Sequence, residues 1–99
     1  MAWDKSSPGR PTGNDQNVAI GAASVQNGTA FQASTQLLRL SAMGNCHIAI
    51  GTNPTASASS MLLKATDPAT YVRIAQGEKV AVIQDGSSTG NLNISEWTF

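Results

Sequence analysis

The segment Gly86-Ser87-Ser88-Thr89-Gly90 carries the letters of a nucleophile elbow, the turn that lifts a serine into reach of a histidine and an acid. An elbow joins a strand to a helix, whereas here Lys79 to Ile83 and Asn91 to Ile94 both read as strands. The single histidine, His47, falls in the middle of another strand, and no spacing places it beside Ser88. The segment is therefore expected to be a hairpin loop. His47 also lacks the companions of a metal site: the chain has one His, one Cys and no acidic pair at ligand spacing. Glu78 and Glu96 are the candidate carboxylate pair for glycoside hydrolysis. Glu78, however, sits in a turn beside Lys79, where an exposed charge is the plain expectation, and Asp67 and Asp85 suit turns for the same reason. Gly77-Glu78-Lys79 lacks the glycine spacing and following helix of a phosphate loop. Cys46, the sole cysteine, makes no intrachain disulfide and is expected to be a buried thiol. No catalytic residue, cofactor or metal is assigned on these residues, and no enzymatic activity is expected.

Composition narrows the class further. Charged residues make up 12% of the 99-residue chain, with a formal net charge of zero, against an average of about 25%. Ser, Thr, Asn, Gln and Ala take the places that Lys and Glu usually fill, and a surface of small neutral polar groups costs less to desolvate than a charged one, which suits contact with another protein. Lys5, Arg10, Arg39, Lys64, Arg73 and Lys79 are scattered singly, without the basic stripe that phosphate contacts call for, so nucleic acid is not expected as a partner. No run approaches the roughly 20 apolar residues of a membrane span. Met1 to Ser6 lack the apolar core of a signal peptide, so synthesis in the cytoplasm is expected, and the sequons at Asn27 and Asn93 carry no weight.

The elements that would position any site read as strands. Residues 1–16 hold Trp3 as their one large apolar group among Gly, Asn, Pro, Ser and Thr, too little to offset the entropy of ordering, and are expected to form an extended N-terminal arm. Trp3, Arg10 and Pro11 are its expected partner contacts, because a Trp on a flexible leash anchors well in a pocket. Residues 17–99 are expected to be a single domain. Asn17 to Val25 and Thr29 to Thr35 read as a hairpin about Asn27-Gly28, whose residues tolerate positive φ. In Gln36 to Ala42, Leu38 and Leu40 share a face, and after Gly44-Asn45 the residues Cys46, Ile48 and Ile50 point one way and His47 and Ala49 the other. The small polar loop Gly51 to Ser60 is long for a compact domain and is expected to reach a neighbour through Asn53, Pro54 and Ser57. Met61 to Lys64 begins a strand that Asp67-Pro68 breaks. Tyr71 to Ile94 reads as a three-strand meander, and Trp97 and Phe99 share a face of the last strand and are expected in the core. The sum is an all-β antiparallel sandwich of about eight short strands.

The stretches "HIAIGTNPTA" (His47 to Ala56), "SSMLLKA" (Ser59 to Ala65), "YVRIAQGEKVAVI" (Tyr71 to Ile83) and "GNLNISEW" (Gly90 to Trp97) resemble small virion structural proteins of tailed bacteriophages. The likeness covers about the last 60 residues and is one of pattern: short strands, a small polar loop, a Gly-Glu-Lys turn and a C-terminal strand. It implies a jelly-roll-like sandwich acting as a head decoration (cement) protein on the capsid surface of the virion. The partner implied is the major capsid protein, with self-association as a homotrimer left open. The family pattern carries no catalytic residues. Two alternatives stay open: a receptor- or carbohydrate-binding jelly-roll module of a head or tail fibre, and a head-completion or tail component.

Overall fold

The computed structural model describes residues 9–98. They form eight strands and no helix: β1 (Arg10–Ile20), β2 (Val25–Gln26), β3 (Leu37–Ala42), β4 (Cys46–Gly51), β5 (Met61–Leu63), β6 (Thr70–Arg73), β7 (Lys79–Gln84) and β8 (Gly90–Thr98). Two four-stranded antiparallel sheets result, ordered β1-β8-β3-β6 and β2-β7-β4-β5. β1 pairs with β8, β2 with β7, β3 with β6 and β4 with β5. The chain thus runs as one long hairpin with its tip at the β4–β5 connection, and the pairings β3–β8 and β4–β7 form where that hairpin is rolled against itself.

Period-two alternation decides what faces inward. Val18 and Ile20 on β1, Leu38 and Leu40 on β3, and Leu92 and Ile94 on β8 meet Cys46, Ile48, Leu63, Val80 and Val82 from the opposite sheet in one core. Burying each aliphatic side chain contributes about 1.5–3 kcal/mol. Phe31 enters the same core from the connection between β2 and β3 and is 2% exposed. Cys46 is fully buried, and burial pushes its thiol up to about 11.

Four expectations are corrected. Arg10 to Gln16, expected in the arm, belong to β1, with Arg10 opposite Thr98 and Gln16 opposite Ile94. A polar stretch gains a strand cheaply where a free sheet edge stands ready, because the ladder uses backbone groups alone. A register shift between Pro11 and Asp15, with Gly13 at φ 94°, lets the ladder continue through this stretch. The Asn27-Gly28 hairpin is absent: neither residue has positive φ, β1 pairs with β8 instead, and residues 29–35 form no strand. The Tyr71 to Ile94 meander is also absent, since β6 and β8 lie in one sheet and β7 in the other. Alternation reports that each strand has one apolar face but not which strand lies beside it, and the connections are long enough to cross the roughly 10 Å between sheets. Finally, Trp97 leaves the core. Leu92, Ile94 and Glu96 share the inward parity of β8, so Asn93, Ser95 and Trp97 face outward, Trp97 half-buried. Phe99 and Trp3 lie outside the described residues.

Candidate functional site

The inward row of β8 runs Leu92, Ile94, Glu96, and its last member puts a carboxylate where the pattern calls for an apolar group. Glu96 is 2% exposed. A buried carboxylate is tolerable only when hydrogen-bonded, and the connection between β2 and β3 supplies the donors. The Thr35 hydroxyl donates to Glu96 Oε1 at 2.6 Å and the Gln32 N–H donates to the same oxygen at 3.2 Å. Across the sheet edge, the Thr12 hydroxyl donates to the Glu96 carbonyl at 2.9 Å, which seats the start of β1 against the end of β8.

Beside Glu96, the irregular part of β1 and the 29–32 segment part to leave an open polar cleft of about 250 Å³, lined by Asn14, Asp15, Gln16, Thr29, Gln32 and Glu96. Its wall is fixed by reciprocal amide bonds. Gln16 Nε2 donates to the Thr29 carbonyl at 3.0 Å, and Gln16 Oε1 accepts from the Thr29 N–H at 3.1 Å. Asn27, buried behind it, donates from Nδ2 to the Thr29 carbonyl at 2.5 Å and accepts the Val80 N–H on Oδ1 at 2.7 Å.

A second polar locus lies on the outer face of the β2-β7-β4-β5 sheet. His47, 8% exposed, has Nδ1 at 2.9 Å from the Ser60 carbonyl and Nε2 at 3.0 Å from Asp85 Oδ1. Both partners accept, and that arrangement raises the imidazole pKa above 6.5, chiefly through the Ser60 carbonyl and then through Asp85. The Gly51 to Ser60 loop covers this face: Gln26 Nε2 donates to Asn53 Oδ1 at 2.8 Å and to the Pro54 carbonyl at 2.9 Å, and the Ala56 N–H donates to Ser24 Oγ at 2.9 Å. Ala81 and Ala49, paired across the sheet, leave room for it. On the far side of the sandwich, Tyr71 and Trp97 meet edge to face with centroids 5.5 Å apart, and Trp97 Nε1 donates to Ser95 Oγ at 2.9 Å. Arg39 lies between Ser95 and Tyr71 in register, and Leu37 between Trp97 and Arg73.

The residues expected to meet a partner fall into two groups. Arg10 and Pro11 are exposed at the start of β1, Pro11 directly opposite Trp97. Asn53 and Ser57 are exposed on the loop across the opposite face, while Pro54 is buried against its own sheet. The loop expected to reach a neighbour is thus strapped to its own chain. Ser88 stays in a turn, its N–H donating to the Asp85 carbonyl at 3.2 Å, and Gly86 and Gly90 serve backbone geometry with φ of 62° and 128°. Glu78 caps its own turn by accepting the Ala75 N–H at 2.7 Å, so it and Glu96 serve separate turns. Among the described residues no three His, Cys, Asp or Glu gather to hold a metal. Sequence reasoning missed the Gln16, Asn27 and Gln32 cluster, whose members are remote in the chain. It also weighed Glu96 without applying the alternation of Leu92 and Ile94, which places Glu96 inward. No family model, curated protein or solved structure matches the chain.

Proposed function

We propose that the protein is a head decoration (cement) protein of a tailed bacteriophage, built as a jelly roll that binds the outer capsid surface and bridges neighbouring subunits. The observation that carries the reading is the strand order. Pairing of first with last, second with seventh and so on, rolled into sheets β1-β8-β3-β6 and β2-β7-β4-β5, supports the reading as a jelly roll, an architecture of viral capsid and lectin domains. The nearly uncharged polar surface supports the same reading, because its desolvation cost is low. Arg10 and Pro11 lie on one side of the sandwich and Asn53 and Ser57 on the other, a placement that suits a bridge between two neighbours better than a single flat footprint. The major capsid protein is the partner, and many symmetric copies supply avidity without strong single contacts. A homotrimer would arrive as a preformed knob, and light scattering on the purified chain reads that state directly.

The test is the copy number of this chain in purified phage particles, measured by quantitative mass spectrometry against the major capsid protein. A copy number comparable with the capsid protein supports decoration. A few copies per particle would assign a head-completion or tail component instead, and absence from particles would overturn the reading.

One observation favours a second reading. Trp97 stands with Tyr71 on the outer face of the β1-β8-β3-β6 sheet, and exposed aromatic rings beside polar side chains are what a carbohydrate-binding module presents. A glycan array with competable hits that Trp97→Ala abolishes would favour a receptor-binding module of a head or tail fibre.

A further inference from the structure

We propose that the outer face of the β1-β8-β3-β6 sheet binds a neutral sugar, a hexopyranose with equatorial hydroxyls, held between Asp15 and Arg39 over the Trp97 ring. The inference rests on the carbohydrate-binding reading above and names the sugar class and the polar residues which that reading leaves open.

Register assembles the site. Directly opposed residues share a face, so Asp15, Ser95, Arg39 and Tyr71 form one outward row across the sheet, and Trp97 and Leu37 stand side by side in the next. Two of these residues are sealed although they point away from the core: Ser95 is 7% exposed and Leu37 5%. The Trp97 indole accounts for both. Its Nε1 donates to Ser95 Oγ at 2.9 Å, which lays the ring along β8 over Ser95, and Leu37 is its neighbour across the ladder. A ring lying down on the sheet turns one face inward and the other outward, in keeping with its half-buried state. Tyr71, exposed on β6, reaches the indole from the side, with the two rings at 79°, and forms a wall to this platform.

Two opposite charges flank the platform. Asp15 is exposed on β1 and Arg39 half-buried on β3, one on each side of Ser95, so their backbones stand roughly 10 Å apart by strand spacing. Among the described residues neither side chain has an ion-pair or hydrogen-bond partner. A guanidinium drawn partly out of water with nothing to receive its donors is the second observation that points to a ligand. The charges also select the ligand. They cancel, so an anion would be repelled by Asp15 and a cation by Arg39. Arg39 only donates and the Asp15 carboxylate only accepts, whereas a hydroxyl does both. Equatorial hydroxyls spread in the plane of a sugar ring toward both residues. They leave C–H bonds on the ring's faces, which suit the negative π face of the indole.

Nuclear magnetic resonance titration of the full chain tests this. Cellotetraose is the neutral probe, a hyaluronan tetrasaccharide its anionic counterpart, and sorbitol the control that has hydroxyls but no ring. Saturable shifts of the Trp97 Nε1–H and of the Ser95 and Arg39 amides are expected with cellotetraose, weaker binding with the hyaluronan fragment and no saturable shift with sorbitol. Asp15→Ala and Arg39→Met, both outward changes that spare the core, should each weaken binding several-fold, and Trp97→Ala should abolish it. Because Trp97→Ala also uncovers Leu37, the two charge variants decide if it fails to fold. Equal or tighter binding of the hyaluronan fragment, an equal response to sorbitol, or unchanged affinity in both charge variants would overturn the proposal. Each of those results leaves the wider carbohydrate reading standing where Trp97→Ala still abolishes binding. No saturable response to either oligosaccharide also overturns the proposal, and the wider reading falls with it only if the glycan array is blank. Capsid binding that the two charge variants weaken, without any oligosaccharide response, would give this face to the capsid instead.

Discussion

His47 Nε2 lies 3.0 Å from Asp85 Oδ1, while the other ring nitrogen of His47 lies 2.9 Å from the Ser60 carbonyl. Both partners accept hydrogen bonds, so the two bonds form together only when the ring carries both protons. The folded-state pKa is accordingly raised above 6.5. Stability from this pair is complete below that unfolded value and is lost as the pH rises through the folded one. Urea midpoints of the wild type and His47→Gln should therefore differ most below pH 6.5 and converge at higher pH. A gap independent of pH would show that the ring is held by packing alone.

Gly44 meets the Thr89 carbonyl so closely that a methyl group there would overlap it, and a Cβ at Gly90 would stand 3.1 Å from the Met43 carbonyl. The β3–β4 turn and the β7–β8 loop thus cross backbone to backbone, pinned by the Met43 N–H donating to the Asn91 carbonyl at 2.9 Å. Gly44→Ala should cost about 1–3 kcal/mol, in the range of overpacking, read by chemical denaturation. A change within about 0.5 kcal/mol, the usual size of a surface substitution, would show that the crossing yields easily.

What could be read ahead was whatever depends on parity alone. Leu38, Leu40, Cys46 and Ile48 point inward as period two requires, and the strand count follows from turn spacing. Neighbour relations were illegible, because β6, β7 and β8 would show the same alternation in a meander or in alternate sheets. The cleft was illegible for a related reason: Gln16, Asn27, Gln32 and Glu96 meet only because β1 lies on β8 while the β2–β3 connection closes the same end. Glu96 alone was within reach, since its parity with Ile94 places a charge in the core, whereas the pull of Trp97 toward burial argued for the opposite face.

Asn27 shows how a turn signal can serve a different purpose. Its N–H donates to the Val80 carbonyl at 3.1 Å and its Oδ1 accepts the Val80 N–H at 2.7 Å, extending the β2–β7 ladder through a side chain. The residue is 2% exposed. Asn27→Ala leaves the buried Val80 N–H without its acceptor and should cost about 1–3 kcal/mol. Asn27→Asp keeps an acceptor for Val80 but loses the Nδ2 donor to Thr29, so it should also destabilise, and more so as the carboxylate ionises. Denaturation of both variants is the check; an Asp variant as stable as wild type at neutral pH would mean that the Thr29 bond contributes nothing.

The loop across the β2-β7-β4-β5 sheet is held at one point by Gln26, whose amide bonds both Asn53 and Pro54. Gln26→Ala should cost about 1 kcal/mol globally but far more locally, because Pro54 and Ala56 are buried only while the strap lies down. Limited proteolysis should then cut between Thr52 and Ser60 at conditions where the wild type survives, with the β-sheet core intact. Ser57→Ala is the control: among the described residues its hydroxyl bonds only Ser59 and Ser60 within the exposed turn, so neither the midpoint nor the cleavage rate should move. If Gln26→Ala resists cleavage as well as Ser57→Ala does, packing of Pro54 and Ala56 together with the Ala56 N–H bond to Ser24 Oγ holds the loop, and the face beneath stays closed to any partner.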